Sequence, residues 1–219
     1  MKVCRMGPPV KKRRYDTSAR RAASAATKQR ILDAARELFI QEGYRSATVA
    51  SIARRAGVNV DTVYALAGRK PLLLQELIEQ AISGTDHPVP AEERDYVIAL
   101  RAEPDPHRKI QIYARATREN LQRLAPLFLA LRDASSTEPE AQAVWAGISD
   151  RRAANMRRFA QDLERTGQLR PDLSLDDAAD IVWATNSSEM FVMLTVERGW
   201  TPDRYEQWLA DAWSRLLLD

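Results

Sequence analysis

Residues 48–64 read Thr48-Val49-Ala50-Ser51-Ile52-Ala53-Arg54-Arg55-Ala56-Gly57-Val58-Asn59-Val60-Asp61-Thr62-Val63-Tyr64. Two short helical patterns flank Gly57-Val58-Asn59, a connection too short for anything but a tight turn. Gly57 can adopt positive φ at no steric cost, and the small Ala53 lets the two helices cross closely. Ile52, Val58 and Val63 are spaced to fill the wedge between them. This is the layout of a helix-turn-helix, whose second helix enters the major groove of a duplex.

Working outward, Ile31, Leu32, Ala35, Leu38 and Phe39 form one apolar stripe, and Gly43 suits the position that stops that helix. Pro71 fits the first turn of a later helix, in which Leu74, Leu77, Ile78, Ala81 and Ile82 make the buried face before Gly84. Gly84-Thr85-Asp86-His87-Pro88-Val89-Pro90 reads as the clearest linker. Beyond it, helices are expected at 91–102, 107–124, 126–135, 138–166, 175–197 and from Pro202 onward, with Pro126 and Pro139 as helix starts. No strand pattern or internal repeat is evident. The expected fold is all-α with about nine to ten helices. A three-helix helix-turn-helix domain comes first, followed by a second helical domain. The segments are a flexible basic tail (1–26), the helix-turn-helix domain with its connecting helix (27–84) and the second helical domain (85–219).

Charge is distributed to match. Residues 1–26 carry eight basic side chains and one acidic, residues 27–84 eight and six, and residues 85–219 seventeen and twenty-three. A basic front and an acidic back suggest that one end meets a polyanion. The tail's Pro8-Pro9-Val10-Lys11-Lys12-Arg13-Arg14 also fits a nuclear-import motif, a mis-started upstream segment or a merely solvated tail. The 219 residues include one cysteine, Cys4, and two histidines, His87 and His107. These exclude a disulfide framework or Cys-rich metal site, and leave little for a catalytic triad. No cofactor, metal site, catalytic residue or membrane span is expected.

The same residues resemble the TetR family of bacterial transcriptional regulators. The resemblance runs from Thr27 to about Ile82, through Phe39…Gly43-Tyr44, Thr48-Val49-Ala50-Ser51-Ile52-Ala53, Ala56-Gly57-Val58, Thr62-Val63-Tyr64 and Lys70-Pro71-Leu72-Leu73. It departs at Leu66-Ala67, where the family commonly has an aromatic pair or His-Phe. The resemblance implies a cytoplasmic, ligand-responsive regulator, foremost a repressor, that binds double-stranded DNA at a palindromic operator as a homodimer, with 27–84 as its DNA-binding domain and 85–219 as its helical ligand-binding, regulatory and dimerisation domain. No motif separates repression from activation. On that resemblance Asn59, Val60 and Thr62 face base edges. Thr48, Tyr64, Lys70 and Arg45 contact phosphates, with Arg54, Arg55 and Arg69 as further candidates. Arg54 and Arg55 fit an ordinary solvated helix face equally well. Asp61 is expected to point away or to cap the recognition helix.

The stretch 175–197 is apolar around nearly its whole circumference but for Asn186-Ser187-Ser188-Glu189. The resemblance makes it and the last helix the pairing surface, with Trp208 and Trp213 as interface or core anchors. Its polar block reads either as interface hydrogen bonding or, with Trp183, Asn186 and Met190 on one side, as the wall of a ligand cavity. Tyr113, Phe128, Trp145 and Met156 are further wall candidates, though each also fits plain core. Such a lining suits a mostly apolar or aromatic effector with one or two polar groups. The alternative to the whole reading is a helical scaffold or interaction module in which the helix-turn-helix is structural only.

Overall fold

The first helix reaches further back than its apolar stripe. The computed structural model describes residues 17–85, 87 and 89–219, and in it α1 spans Thr17–Gln41. The expected tail is therefore helical from residue 17, and its earlier part lies outside the described residues. The reason is propensity: Ala19, Ala22, Ala23, Ala25 and Ala26, with Arg20 and Arg21, are among the strongest helix formers, and burial begins only at Ile31.

Next come α2 (Gly43–Ser46), α3 (Val49–Ala56), α4 (Val60–Ala67) and α5 (Lys70–Ser83). A 3₁₀ turn at Ala91–Glu93 leads into α6 (Asp95–Ala102), α7 (Pro106–Ser135) and α8 (Pro139–Glu164). The chain closes with α9 (Leu175–Thr185), α10 (Ser188–Val192), a π turn at Met193–Glu197 and α11 (Pro202–Leu217). Among the described residues there are eleven α-helices and no strands, only an isolated bridge between Leu169 and Leu218. The count exceeds the expected nine to ten because Gly43–Ser46 forms its own turn and 175–197 is broken.

Two apolar cores organise these helices. The first gathers Ile31, Leu32, Phe39, Ile52, Val63, Leu74 and Ile78 from α1, α3, α4 and α5. It also takes in Leu127, Phe128, Leu131 and Ala134 from α7, and Ala141 and Ile148 from α8. The second holds Tyr113, Leu121, Phe159, Val182, Phe191, Tyr205, Leu209 and Trp213. The helix α7 belongs to both cores.

That explains why α7 does not break where two helices were expected. Pro126 lies inside it and starts nothing. An interior proline removes one hydrogen bond and costs about 3 kcal/mol. Full burial of Leu127, Phe128 and Leu131 contributes about 1.5–3 kcal/mol each and outweighs it. The carbonyl of Arg123, in the turn ahead of Pro126, accepts a hydrogen bond from Arg36 Nη2 at 3.4 Å.

The 175–197 stretch does break, at its polar block. Ser187 caps a new helix, its Oγ accepting from the Met190 N–H at 3.1 Å, and α9 ends one residue earlier than Asn186. Serine competes for backbone hydrogen bonds more effectively at a cap than mid-helix. The last helix docks on this break. Trp213 Nε1 donates to Thr185 Oγ1 at 2.7 Å, and Tyr205 Oη donates to the Thr185 carbonyl at 2.8 Å. Trp213 is a core anchor with no exposed surface, whereas Trp208 is half-buried. Replacing Thr185 by valine leaves the Trp213 N–H buried without an acceptor. It should lower stability by about 1–3 kcal/mol, read as an earlier midpoint in urea denaturation.

Candidate nucleic-acid interface and ligand cavity

The turn between α3 and α4 is held by its backbone. Gly57 sits at φ 67°, and the Val58 N–H donates to the Ala53 carbonyl at 3.0 Å. Ile52 and Val63 have no exposed surface and Ala53 is buried, so the corner is locked from inside. On its outer side α4 presents Asn59, Val60, Asp61, Tyr64 and Ala65 to solvent, with Tyr64 half exposed. The Asn59 side chain makes no cap bond although the residue stands at the N-cap, and Tyr64 Oη has no partner among the described residues. Asp61 is exposed in the first turn, where a carboxylate suits the helix dipole, and does not cap. Thr62 is half-buried at the edge of this face. Leu66 and Ala67 pack against the first core, so the departure at that pair alters the interior and leaves the outer face unchanged.

Thr48 stands at the N-cap of α3 in a reciprocal box. Its Oγ1 accepts from the Ser51 N–H at 3.0 Å, and Ser51 Oγ accepts from the Thr48 N–H at 3.0 Å. The Thr48 hydroxyl and N–H thus both take part in the cap.

The expected phosphate cations divide sharply. Arg45 donates through Nη2 to Thr137 Oγ1 at 2.6 Å. Lys70 Nζ donates to the Tyr44 carbonyl at 2.9 Å, lies 3.9 Å from the Tyr44 ring centre and 4.0 Å from Glu138. Burial lowers the Lys70 pKa, and the Glu138 carboxylate partly offsets that. Arg69 pairs with Glu140 at 2.8 Å and Arg55 with Glu37. Only Arg54 among these is exposed with no ion pair or hydrogen bond among the described residues. Arg45 and Lys70 thus tie α2 and α5 to the corner between α7 and α8. That corner, Thr137–Glu140, is about ninety residues from Arg45 in sequence and comes beside it only through folding.

Between α5, the 3₁₀ turn, α6, α7, α8 and the α9–α10 break lies a cavity of about 730 Å³. Tyr113, Phe128, Asn186 and Met156 line it as the sequence suggested. Trp145, Trp183 and Met190 do not. Trp145 packs against the first core, and Met190 against the second. The Trp183 ring instead lies 4.7 Å from the Arg152 guanidinium, still 39% exposed. Breaking the helix at Asn186 changes the angular relation among residues 183, 186 and 190, so they no longer share one wall.

The lining is also more charged than expected, with Arg94, Arg101, Arg151, Arg152 and Arg158 against Glu79, Glu92 and Asp162. Glu79 is ion-paired with Arg151, and Asp162 with Arg165 at 2.7 Å. Burial lowers the Arg152 pKa, the fields of Tyr113 and Glu189 opposing it. Tyr113 Oη donates to Met156 Sδ at 3.2 Å, and burial raises the Tyr113 pKa far above its ordinary value. A helical arginine reads as solvated in sequence, and so these were missed. The available signal was spacing: Arg151, Arg152 and Asn155 continue the stripe of Met156 and Phe159 on α8.

Residues 31–77 match the sequence profile described as bacterial regulatory proteins, tetR family. The chain carries a TetR-type DNA-binding domain. The chain is 38% identical over 73 residues to the HTH-type transcriptional regulator SrpR of Pseudomonas putida, covering 32% of this chain and 32% of SrpR. It is also 38% identical over 73 residues to the uncharacterised HTH-type transcriptional regulator TtgW, likewise of Pseudomonas putida, covering 32% of this chain and 52% of TtgW. The chain therefore spans about a third to a half of the length of these curated relatives. The whole fold is similar to that of native NalD, the secondary repressor of the MexAB-OprM multidrug efflux pump in Pseudomonas aeruginosa. The TM-score is 0.70 at 22% identity, with 89% of this chain and 98% of NalD covered. It is similar too to a protein of Saccharomonospora viridis assigned as a transcriptional regulator and solved in complex with choline. There the TM-score is 0.67 at 19% identity, covering 89% and 99%. No helix among the described residues is long and apolar enough to cross a membrane.

The Thr48 cap gives a direct measurement. Thr48→Ala removes the side-chain acceptor for the Ser51 N–H and should cost about 1 kcal/mol, seen as a lower thermal midpoint.

Proposed function

We propose that the protein is a ligand-responsive transcriptional repressor, acting in the cytoplasm, that binds a palindromic operator as a homodimer. The observation that carries this is the outer face of α4, where Asn59, Val60 and Tyr64 stand in solvent behind a corner locked by Gly57. Asn59 has the geometry to read an adenine edge, Val60 a thymine methyl, and Tyr64 can donate to a phosphate. So short a helix reads few base pairs, so affinity requires two copies on two half-sites about 34 Å apart. Arg45 and Lys70 remain phosphate candidates that would exchange a protein acceptor for DNA, beside Arg54 and the exposed Arg20 and Arg21 of α1.

Pairing through the last helices is supported by Trp183, Met193, Val196 and Leu216, which are large apolar side chains left exposed on α9, the π turn and α11. Control by a small molecule is supported by α5. One end of α5 follows the recognition helix, and its Gln75, Glu79 and Ile82 line the cavity. Arg123 Nε donates to the Ala81 carbonyl at 3.0 Å near the other end of α5, and the Arg151–Glu79 pair ties its flank to α8. A ligand that fits one position of α5 better than another shifts the spacing of the two reading heads, typically with about 1–3 kcal/mol of coupling.

Selection of bound fragments from random DNA should return a two-fold symmetric site. Replacing Asn59 and Tyr64 together by alanine should abolish specific retention while leaving the far-UV spectrum unchanged; unchanged retention removes α4 as the reader. Deleting residues 1–16, which include Lys2, Arg5, Lys11, Lys12, Arg13 and Arg14, should weaken binding to all sequences alike and flatten its salt dependence. Val196→Glu should raise the dimer dissociation constant at least tenfold in sedimentation; a dimer of undiminished affinity places the pairing face elsewhere.

A further inference from the structure

Arg152 stands half-buried in the cavity wall, beside Trp183 and Asn186. Its Nη2 donates to Asn186 Oδ1 at 2.5 Å and to the Trp183 carbonyl, and its plane is held against the Trp183 ring. Among the described residues its Nε and Nη1 make no hydrogen bond, and no carboxylate lies within ion-pairing distance. Glu189, whose field reaches Arg152, is paired with Arg132 at 2.9 Å. A partly buried guanidinium without a counter-ion is an unfavourable arrangement unless something else supplies the charge.

Two neighbours share the same deficiency. Tyr113 Oη and Asn186 Nδ2, both in buried residues, donate to one acceptor, Met156 Sδ, at 3.2 and 2.9 Å. A thioether is a weak acceptor, so two strong donors are left under-satisfied. Burial keeps the Tyr113 hydroxyl protonated, hence a donor. Three groups that want a strong acceptor therefore meet at one end of the cavity. Leu121 and Phe159 line the apolar remainder, and the lining as a whole has five arginines against three carboxylates.

We infer that the effector is an organic oxyanion, a carboxylate or phosphate on an apolar or aromatic body, with its anionic oxygens on Arg152, Tyr113 and Asn186. This rests on the ligand-responsive reading above and narrows it to a charge class. Trp183 acts as a positioning residue, fixing the guanidinium plane from behind. Planar bidentate geometry suits Arg152 to this task, and the charge-assisted bonds would replace the weak ones to sulfur.

Calorimetry on the full chain with three matched probes, 1-naphthylacetate, 1-naphthyl phosphate and 1-naphthylacetamide, tests it. At least one anion should bind tenfold or more tightly than the neutral amide, and which one does identifies the headgroup. Arg152→Gln should erase that preference, a loss of about 10- to 100-fold for the anion with little change for the amide. Arg152→Lys should retain part of it, and Tyr113→Phe should weaken the anion severalfold. Equal binding of amide and anions by the unaltered protein, binding of none of the three, or a preference that survives Arg152→Gln overturns the inference. The comparison within the unaltered protein stands even if a variant fails to fold, which circular dichroism reports. Fragment selection on the same preparation separates the two levels. Retained DNA without anion preference sinks only the oxyanion, and no retained DNA sinks the regulator reading itself.

Discussion

The packing of α7 into two cores at once is the constraint on which the rest of the structure depends. Leu127, Phe128 and Leu131 bury themselves among α1, α3, α4 and α5, while Tyr113 and Leu121, earlier in the same helix, bury themselves in the C-terminal core. A close-packed interior transmits displacement, because side chains interdigitate with little free volume. Phe128 belongs to the first core and also lines the cavity, so a molecule entering the cavity touches the same ring that supports α1 and α5.

The cations between the two halves follow from that packing. Because α7 runs alongside α1, α2 and α5, the corner that follows it at Thr137–Glu140 comes within reach of Arg45, Arg69 and Lys70. These residues lie where phosphate contacts are expected, yet each has an internal acceptor. Most of the pairs are exposed, where an ion pair contributes at most about 1 kcal/mol, so they orient the corner more than they stabilise it. Lys70 differs in being half-buried under Tyr44, with a backbone carbonyl as acceptor.

The cavity shows the same separation between composition and placement. The C-terminal half carries an acidic excess, but that excess lies outside while arginines of α6 and α8 face inward. Most of those arginines have local acceptors. Arg152 is set apart because it is half-buried against an aromatic face, one amide and one carbonyl, beside the buried Tyr113 and Asn186.

The helical class, the corner at Gly57, the outward face of α4 and the closing helix from Pro202 were all legible in the sequence. Each depends on local geometry: a 3.6-residue period, a positive φ, a cap or a proline at a first turn. Phe128, Tyr113 and Asn186 were placed in the cavity for a similar reason, as bulky or polar residues on otherwise apolar faces. Local chemistry could not say whether Pro126 ends a helix, because that depends on what Leu127 and Leu131 bury against. Nor could it say that 175–197 breaks at Asn186, which turned Trp183 from a cavity wall into a support for Arg152. That Arg45 and Lys70 have acceptors within the protein depends on partners some seventy to ninety residues away. Periodicity and capping are properties of neighbouring residues and so are written in order along the chain. The partner of a charge or a proline's neighbour in a core is chosen by tertiary packing, which sequence order does not record.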